Sequence, residues 1–161
     1  MATHPCFCGY FGDLSGHCRC APDQIARYRA RISGPLLDRI DIHIEVPNMT
    51  RELLLRTDGA PAETSAIVRA RVQAAHQRQL QRAGKTNARL TAREIPQYCS
   101  LNPHQNRMLA QAIDKFGLSG RALHRILKLA RTIADLESSH AIADHHLTEA
   151  IAYRKLDRRI N

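Results

Sequence analysis

Four cysteines lie close together near the start of the chain, within the segment CFCGYFGDLSGHCRC at residues 6–20. Cys6 and Cys8 form one C-x-C pair, Cys18 and Cys20 form a second, and nine residues separate the two pairs. Four thiolates brought together by a short glycine-containing loop can complete a tetrahedral zinc site. We expect such a site to be structural, because four thiolate ligands leave no open coordination position for water or substrate.

An alternative for this segment is a turn-rich loop that holds unligated thiols. Zinc sites usually place two or more residues between the cysteines of a pair, whereas each pair here encloses one. A disulfide framework is less favoured, because the N-terminus lacks the basic and apolar regions of a secretory signal, which predicts a cytoplasmic protein with reduced thiols. Cys99 is far along the chain and is not expected to be a ligand.

The chain is strongly basic. Its 161 residues include 24 Lys and Arg against 15 Asp and Glu, which gives a formal net charge of +9. Such a surface attracts polyanions. Nucleic acid is favoured over a membrane as the partner, because no apolar run approaches the roughly 20 residues of a membrane span.

The densest positive stretch lies between Pro61 and Ile95 and holds seven basic residues against two acidic ones. Arg71, Arg78 and Arg82 recur along one side of a predicted helix, so we expect them to bind DNA through its phosphates. No aromatic residue accompanies them for base stacking, which predicts binding without sequence preference. The alternative is a solvated basic helix that binds nothing specifically.

Hydrophobic periodicity and capping signals predict the elements that position these residues. Alternating apolar residues from Ile40 to Val46 predict one strand, which Pro47 ends. Because one strand cannot form a sheet, we expect residues 1–50 to be the end of an α/β core whose beginning lies outside this chain. The other predicted elements are helices over 21–32, 62–83, 103–117, from Ser119 to about 134, and 144–153.

Three blocks of the sequence carry a resemblance to a known family. They read HPCFCGYFGDLSGHCRCAPDQIARYRARISGPLLDRIDIHIEVP, LSGRALHRILKLARTIADLE and AIAYRKLDR. In this order they resemble the C-terminal half of the ComM/YifB family of bacterial AAA+ ATPases, which are related to the ChlI subunit of magnesium chelatase. The resemblance implies a homo-hexameric ring of neighbouring subunits and, in the ComM branch, DNA branch migration during natural transformation, the process of competence.

The resemblance also implies a mostly α fold in three parts. Residues 1–50 would be the C-terminal remnant of the AAA+ α/β core, with one strand and the cysteine-rich loop. Residues 51–90 would be a linker and the long basic helix. Residues 91–161 would form the small helical lid domain, similar to the C-terminal domain of magnesium chelatase.

One implied catalytic residue is Arg39, in the block LLDRID. In related AAA+ proteins the arginine at this place is the arginine finger, which reaches the γ-phosphate bound by the neighbouring subunit. A guanidinium inserted in trans stabilises the charge that develops during phosphoryl transfer. The alternative from the local sequence is that Arg39 pairs with Asp38 or Asp41.

Two nucleotide-binding residues are implied in the block LSGRALHR. Arg121 resembles the sensor-2 arginine of the AAA+ lid, and Arg125 lies one helical turn further on as its substitute. The first turn of a helix also favours phosphate through its exposed N–H groups. The alternative is a solvated polar face formed by Arg121, Arg125 and Lys128.

Other AAA+ motifs are missing from this sequence. A P-loop needs the pattern G-x-x-x-x-G-K-[ST], and the segment QLQRAGKT at 79–86 has Gln79 where the first glycine should stand. No apolar strand ends in the Asp-Glu pair of a Walker B motif. The chain alone is therefore predicted not to hydrolyse ATP, so ATP and Mg²⁺ would bind only in the full ring. The family pattern NPCPCG reads HPCFCG here, which leaves the role of His4 open.

Two functions follow as alternatives from these observations. The first is the C-terminal part of a ring-forming AAA+ ATPase that supplies an arginine finger, sensor 2 and a lid. The second is a stand-alone basic module that contains zinc and binds nucleic acid without ATPase activity. A degenerate fragment without activity is a third.

Overall fold

The computed structural model of the chain describes residues 2–13, 16–37, 39–46, 49, 55 and 63–154. The chain divides into two compact units. The first comprises Met1–Ile40, Ile44–Ala60 and Leu156–Asn161, and the second comprises Asp41–His43 and Pro61–Lys155. The described part is mostly helical, which confirms the predicted fold class. None of the helices in these described ranges combines the length and apolar character needed to cross a membrane.

The first unit contains two short helices, α1 (Pro22–Arg29) and α2 (Gly34–Leu37). Pro22 occupies the first helical position of α1, where its missing N–H costs nothing. The Ala21 amide donates to Gln24 Oε1 at 3.1 Å and so satisfies a backbone group at the start of the helix. The buried apolar side chains in the described part of this unit are Cys6, Ile25 and Leu37, so its apolar core is very small.

The predicted strand over 40–46 is wrong. The described residues contain no strand, and 42–46 have no regular secondary structure. A strand requires a neighbouring strand to accept and donate its backbone hydrogen bonds, and the described chain supplies none. The apolar side chains of the alternating pattern, Ile42, Ile44 and Val46, are exposed, with Ile44 at 65% and Val46 at 86%.

The second unit contains the remaining helices. They are α3 (Ser65–Ala83), α4 (Ile95–Tyr98), α5 (Pro103–Phe116), α6 (Gly120–Leu136) and α7 (Asp144–Ala152), with a 3₁₀ turn at Asn87–Arg89 between α3 and α4. The four long helices confirm the corresponding predictions from periodicity.

Capping residues set the helix ends in this unit. The Asn102 side chain accepts the Gln105 amide at 2.9 Å, and the Asn102 amide donates to Gln105 Oε1 at the same distance, which forms a capping box at the start of α5. Gly117 ends α5 with φ of +59°, a left-handed conformation that glycine adopts without strain. Ser119 Oγ accepts the Ala122 amide at 3.1 Å and starts α6.

Helix α6 lies at the centre of the second unit and packs against α3, the 3₁₀ turn, α4 and α7. Among the described helices it has the strongest separation of apolar and polar faces, and Ile126 and Ala130 on its apolar face are almost fully buried. The core continues through residues from the other elements, namely Leu90, Ile95, Cys99, Leu109, Ile142, Leu147 and Ala150. The helix that carries Arg121 and Arg125 is therefore held by packing along most of its length.

Candidate metal centre and phosphate-binding helix

The four predicted cysteine ligands come together in the first unit. Their Sγ atoms all lie within 4.8 Å of one another. Cys6 Sγ is 3.3 Å from Cys8 Sγ and 3.8 Å from Cys18 Sγ, and Cys8 Sγ is 3.6 Å from Cys18 Sγ. A tetrahedral zinc ion with Zn–S bonds of about 2.3 Å separates its sulfurs by about 3.8 Å. The cluster therefore fits a metal ion of this size. None of the four thiols forms a disulfide.

The protonation of the thiols depends on their position in the loop. Hydrogen bonds from the Tyr10 and Arg19 amides, together with the hydrogen bond shared with the Cys6 thiol, lower the pKa of Cys8 to about 6. The Cys20 amide favours the Cys18 thiolate, but burial and the nearby Cys8 and Cys6 sulfurs outweigh it and raise the pKa of Cys18 to about 11. The loop therefore favours the thiolate of Cys8 over that of Cys18. A bound cation favours the deprotonated form of every coordinating thiol.

The loop geometry depends on glycine and on packing against α1. Gly9 has φ of +83°, and its amide donates to Cys6 O at 3.2 Å. The chain therefore turns directly after the Cys6/Cys8 pair. The Gly9 Cα faces the His4 ring, since a Cβ added there would lie 3.4 Å from His4 Nδ1. Phe7 packs edge-to-face on Tyr28 of α1, with ring centroids 4.8 Å apart.

The N-terminus of α6 presents one of the two predicted nucleotide-binding residues to solvent. Arg121 lies in the first turn and is exposed. Arg125, one turn later, donates from Nη1 to Asp41 Oδ1. Lys128 Nζ donates to Ala88 O at 3.1 Å. The alternative prediction was a solvated polar face formed by Arg121, Arg125 and Lys128. Of these three cations, Arg125 and Lys128 contact other parts of the second unit, and Arg121 is exposed.

Asp41 is a neighbour that sequence reasoning did not assign to this helix. It belongs to the three-residue segment Asp41–His43, which is part of the second unit. The His43 amide donates to Tyr153 O at 2.9 Å and fixes this segment to the end of α7. Asp41 and Arg125 are 84 positions apart in the sequence, which explains why no local pattern indicated the pair.

Arg39 lies in the first unit, in a turn directly after α2. Its amide donates to Leu36 O at 3.0 Å, and its side chain is exposed. The preceding Leu37 is buried and anchors the turn. Asp38, one of the two partners considered for Arg39, lies outside the described residues, and the other, Asp41, accepts from Arg125.

The three arginines predicted to bind DNA have different surroundings on α3. Arg71 pairs with Glu63 through two bonds, of 2.7 and 3.1 Å, on the surface. Arg78 Nη1 donates to the backbone oxygen of Asp135 at 2.9 Å, and Arg82 donates to both carboxylate oxygens of Asp135 at 2.6 and 2.7 Å. Two of the three guanidiniums thus connect α3 to the end of α6.

Asp135 is the centre of a buried polar cluster. Its carboxylate also accepts from Asn87 Nδ2 at 2.9 Å and lies 3.1 Å from Arg131 Nη2. Burial alone would raise the pKa of Asp135, but hydrogen bonds from Arg82 and Asn87 and the charge of Arg131 hold it below its usual range. Gln79 Oε1 accepts the Asn87 amide at 2.9 Å and extends the cluster to α3.

Replacing Asp135 with alanine should destabilise the second unit by about 3 kcal/mol, because it leaves the Arg82 and Arg131 charges without their acid partner. Urea unfolding followed by circular dichroism measures this. Glu63→Gln breaks the exposed Arg71 pair and should cost less than about 1 kcal/mol. Equal effects of the two substitutions would contradict a structural role for the buried cluster.

A second group with metal-ligand atoms lies where α6 ends and α7 begins. Glu137 Oε2 is 2.9 Å from both His145 Nε2 and His146 Nε2. His146 is fully buried, and its Nδ1 accepts the Ala143 amide at 2.8 Å. Because Nδ1 is an acceptor, the neutral ring carries its proton on Nε2 and donates it to Glu137, so no lone pair remains there for a metal. We assign this group to capping of α7, a role that the sequence did not indicate.

Comparison with known families identifies the two halves of the chain. Residues 62–154 match the family model described as magnesium chelatase, subunit ChlI C-terminal. The chain belongs to this family. Residues 1–54 match the model of the magnesium chelatase subunit ChlI. The ChlI C-terminal match therefore contains α3–α7 with Arg121 and Arg125, and the other match contains the four clustered cysteines and Arg39.

The curated relatives of this ChlI-family chain confirm the resemblance to the ComM/YifB proteins. It is 45% identical over 157 residues to the uncharacterized protein YifB of Salmonella typhimurium, covering 98% of this chain and 30% of YifB. It is 49% identical over 142 residues to the competence protein ComM of Haemophilus influenzae, covering 88% of this chain and 28% of ComM. The chain thus spans less than a third of the length of these relatives.

Proposed function

We propose that this chain forms the C-terminal part of a ring-forming AAA+ ATPase that acts on DNA in natural transformation by branch migration. The observation that carries this proposal is the position of Arg121, exposed in the first turn of a capped helix within a ChlI C-terminal domain. The N–H groups of that turn that Ser119 does not cap and the Arg121 guanidinium together suit a nucleotide phosphate. The similarity to the competence protein ComM supports the biological role.

Within the ring, two sets of arginines act on the nucleotide. Arg121 and Arg125 would bind the phosphates of the nucleotide in their own subunit. Arg39, held in a turn by the buried Leu37, would reach the γ-phosphate of the neighbouring subunit. A guanidinium in this place stabilises the charge on the transferred phosphoryl group. ATP and Mg²⁺ would otherwise be held by parts of the ring outside this chain, so the isolated chain should not hydrolyse ATP.

A structural zinc ion would complete the first unit. The four thiols fit its size and preferred ligand type, and Cys6 is one of the three buried apolar residues in the described part of this unit. Bound to four thiolates, zinc supplies folding energy and no catalytic chemistry. Because Phe7 of the loop packs on Tyr28, zinc would also fix the position of α1 relative to the loop.

A chimera tests the function as a whole. The matching region of Haemophilus influenzae ComM is replaced with this chain, and natural transformation is measured in a strain without ComM. Restoration to within about tenfold of the parent supports the proposal. A chimera that is made in normal amount, hydrolyses no ATP and restores no transformation would contradict it.

DNA contact is the part of the proposal that the isolated chain can test. Every described residue from Glu63 to Ala74 is exposed, so the first half of α3 is accessible, and Arg71 is held there only by a surface ion pair. Each neutralised phosphate contributes about 0.9 to the slope of log affinity against log salt. The double substitution Arg69→Gln and Arg71→Gln should therefore lower the slope for duplex DNA by about 1.8.

A matched pair on another helix serves as the control for that experiment. Arg107→Gln with Lys115→Gln removes the same charge from exposed positions on α5. An equal change of slope in both double variants would indicate a general charge effect and remove α3 from the DNA path. Arg78 and Arg82 are poor probes, because their substitution also breaks contacts to Asp135.

The second candidate function, a stand-alone zinc-containing module that binds nucleic acid, is favoured by the cysteine cluster and the basic α3. It predicts salt-sensitive DNA binding by this chain alone, together with a ComM chimera that fails to hydrolyse ATP. The ring proposal predicts hydrolysis by the chimera. ATP hydrolysis by the chimera therefore separates the candidates, because both of them allow DNA binding by this chain.

A further inference from the structure

One ion pair occupies a guanidinium that the proposed function assigns to nucleotide phosphate. Arg125 Nη1 donates to Asp41 Oδ1 within the second unit. The Arg125 side chain is 27% exposed and that of Asp41 is 58% exposed, so the carboxylate reaches solvent while the guanidinium is partly enclosed. Asp41 can therefore leave this contact without uncovering the apolar core.

A carboxylate and a phosphate compete for the same donors. Both present anionic oxygens that accept charge-assisted hydrogen bonds from a guanidinium. With Asp41 in place, a phosphate that approaches Arg125 meets a negative charge already in contact with it. The phosphate must either displace the carboxylate or accept its repulsion, and either event weakens binding.

We propose that Asp41 is an internal competitor that holds Arg125 when no nucleotide is bound and is displaced by the nucleotide phosphates. This inference rests on the proposed function, because it takes Arg125 as a phosphate ligand. Exposed ion pairs are weak, so a polyphosphate with several negative charges can displace one. The backbone bond from the His43 amide to Tyr153 O keeps the segment near α6 after the carboxylate has left.

Titration of the chain with inorganic tripolyphosphate tests the competition, followed by NMR of the arginine Nε–H signals. Asp41→Asn keeps the size of the side chain and removes its charge, and it should tighten tripolyphosphate binding about fivefold. The control Asp23→Asn removes an equal charge from an exposed ion pair with Arg27 on α1 and should change the affinity less than twofold. In an Arg125→Ala background, Asp41→Asn should have no effect.

The outcomes separate this inference from the proposed function. If Arg125→Ala weakens binding while Asp41→Asn leaves it unchanged, the competition is wrong and the phosphate site remains. If Arg121→Ala and Arg125→Ala both leave tripolyphosphate affinity unchanged, the phosphate site itself is wrong. Tightening by Asp41→Asn that persists without Arg125, or a lack of binding by both the wild-type chain and Asp41→Asn, also overturns the inference.

Discussion

Replacing Arg39 with alanine in the ComM chimera should lower the rate of ATP hydrolysis about a thousandfold, because arginine fingers contribute at least that factor to phosphoryl transfer. The affinity for ATP should change little, since a finger supplied in trans acts mainly on the transition state. Steady-state hydrolysis gives the rate, and binding of a fluorescent ATP analogue gives the affinity.

The control for this experiment is Arg27→Ala, which removes an arginine of the same unit whose guanidinium forms an exposed pair with Asp23. It should leave the rate within about twofold of the parent. Mixing Arg39→Ala subunits with subunits that retain Arg39 but lack the P-loop lysine should restore part of the activity. Hydrolysis by the Arg39→Ala chimera within a few fold of the parent would assign the finger to another residue.

Protein purified reduced and without chelators should carry about one zinc ion per chain, and its removal should unfold the first unit. Structural zinc sites contribute on the order of 10 kcal/mol or more to folding. The described part of this unit buries only three apolar side chains, which is too small a core to replace that contribution. Elemental analysis gives the metal content, and NMR of residues 6–20 gives the loss of order.

Two variants define the metal ligands. Cys8→Ser with Cys18→Ser removes one ligand from each pair and should abolish zinc binding. Cys99→Ala alters a buried cysteine in the second unit and should retain one equivalent. If the double variant retains zinc, or if the reduced wild-type protein contains none, the thiols of this loop are not zinc ligands.

Local signals were sufficient to predict much of this fold. Asn102, Gly117 and Ser119 mark helix ends through hydrogen bonds and dihedral angles that involve only their near neighbours in sequence. The cysteine cluster was predictable for a similar reason. Its four members lie within fifteen residues, so a turn such as that at Gly9 is enough to bring the pairs together.

The partners of the charged side chains were not predictable from local patterns. Arg82 lies 53 residues from Asp135, and its spacing from Arg78 is equally typical of a solvated surface and of a nucleic-acid site. A signal was nevertheless present on α6. Arg131 and Asp135 fall on its apolar face, next to Ala130 and Ala134, where a charged residue requires a partner.

The strand prediction was wrong for a different reason. Alternation of apolar residues reports which side chains share a face, whereas a strand exists only when a second backbone lies beside it. The pattern from Ile40 to Val46 satisfies the first condition, and the described chain does not meet the second. Sequence periodicity therefore does not indicate whether a neighbouring strand is present.

The buried cluster around Asp135 limits the order in which this sequence can change during evolution. If Asp135 is lost first, the Arg82 and Arg131 guanidiniums remain without their acidic partner. If either arginine is lost first, the Asp135 carboxylate loses one of its hydrogen-bond donors. An apolar replacement of the whole group can be as stable as the original, but each single step towards it is costly. The exposed pair of Glu63 and Arg71 has no such barrier. Drift should therefore be slow at Arg82, Arg131 and Asp135, whose replacement requires several coordinated substitutions.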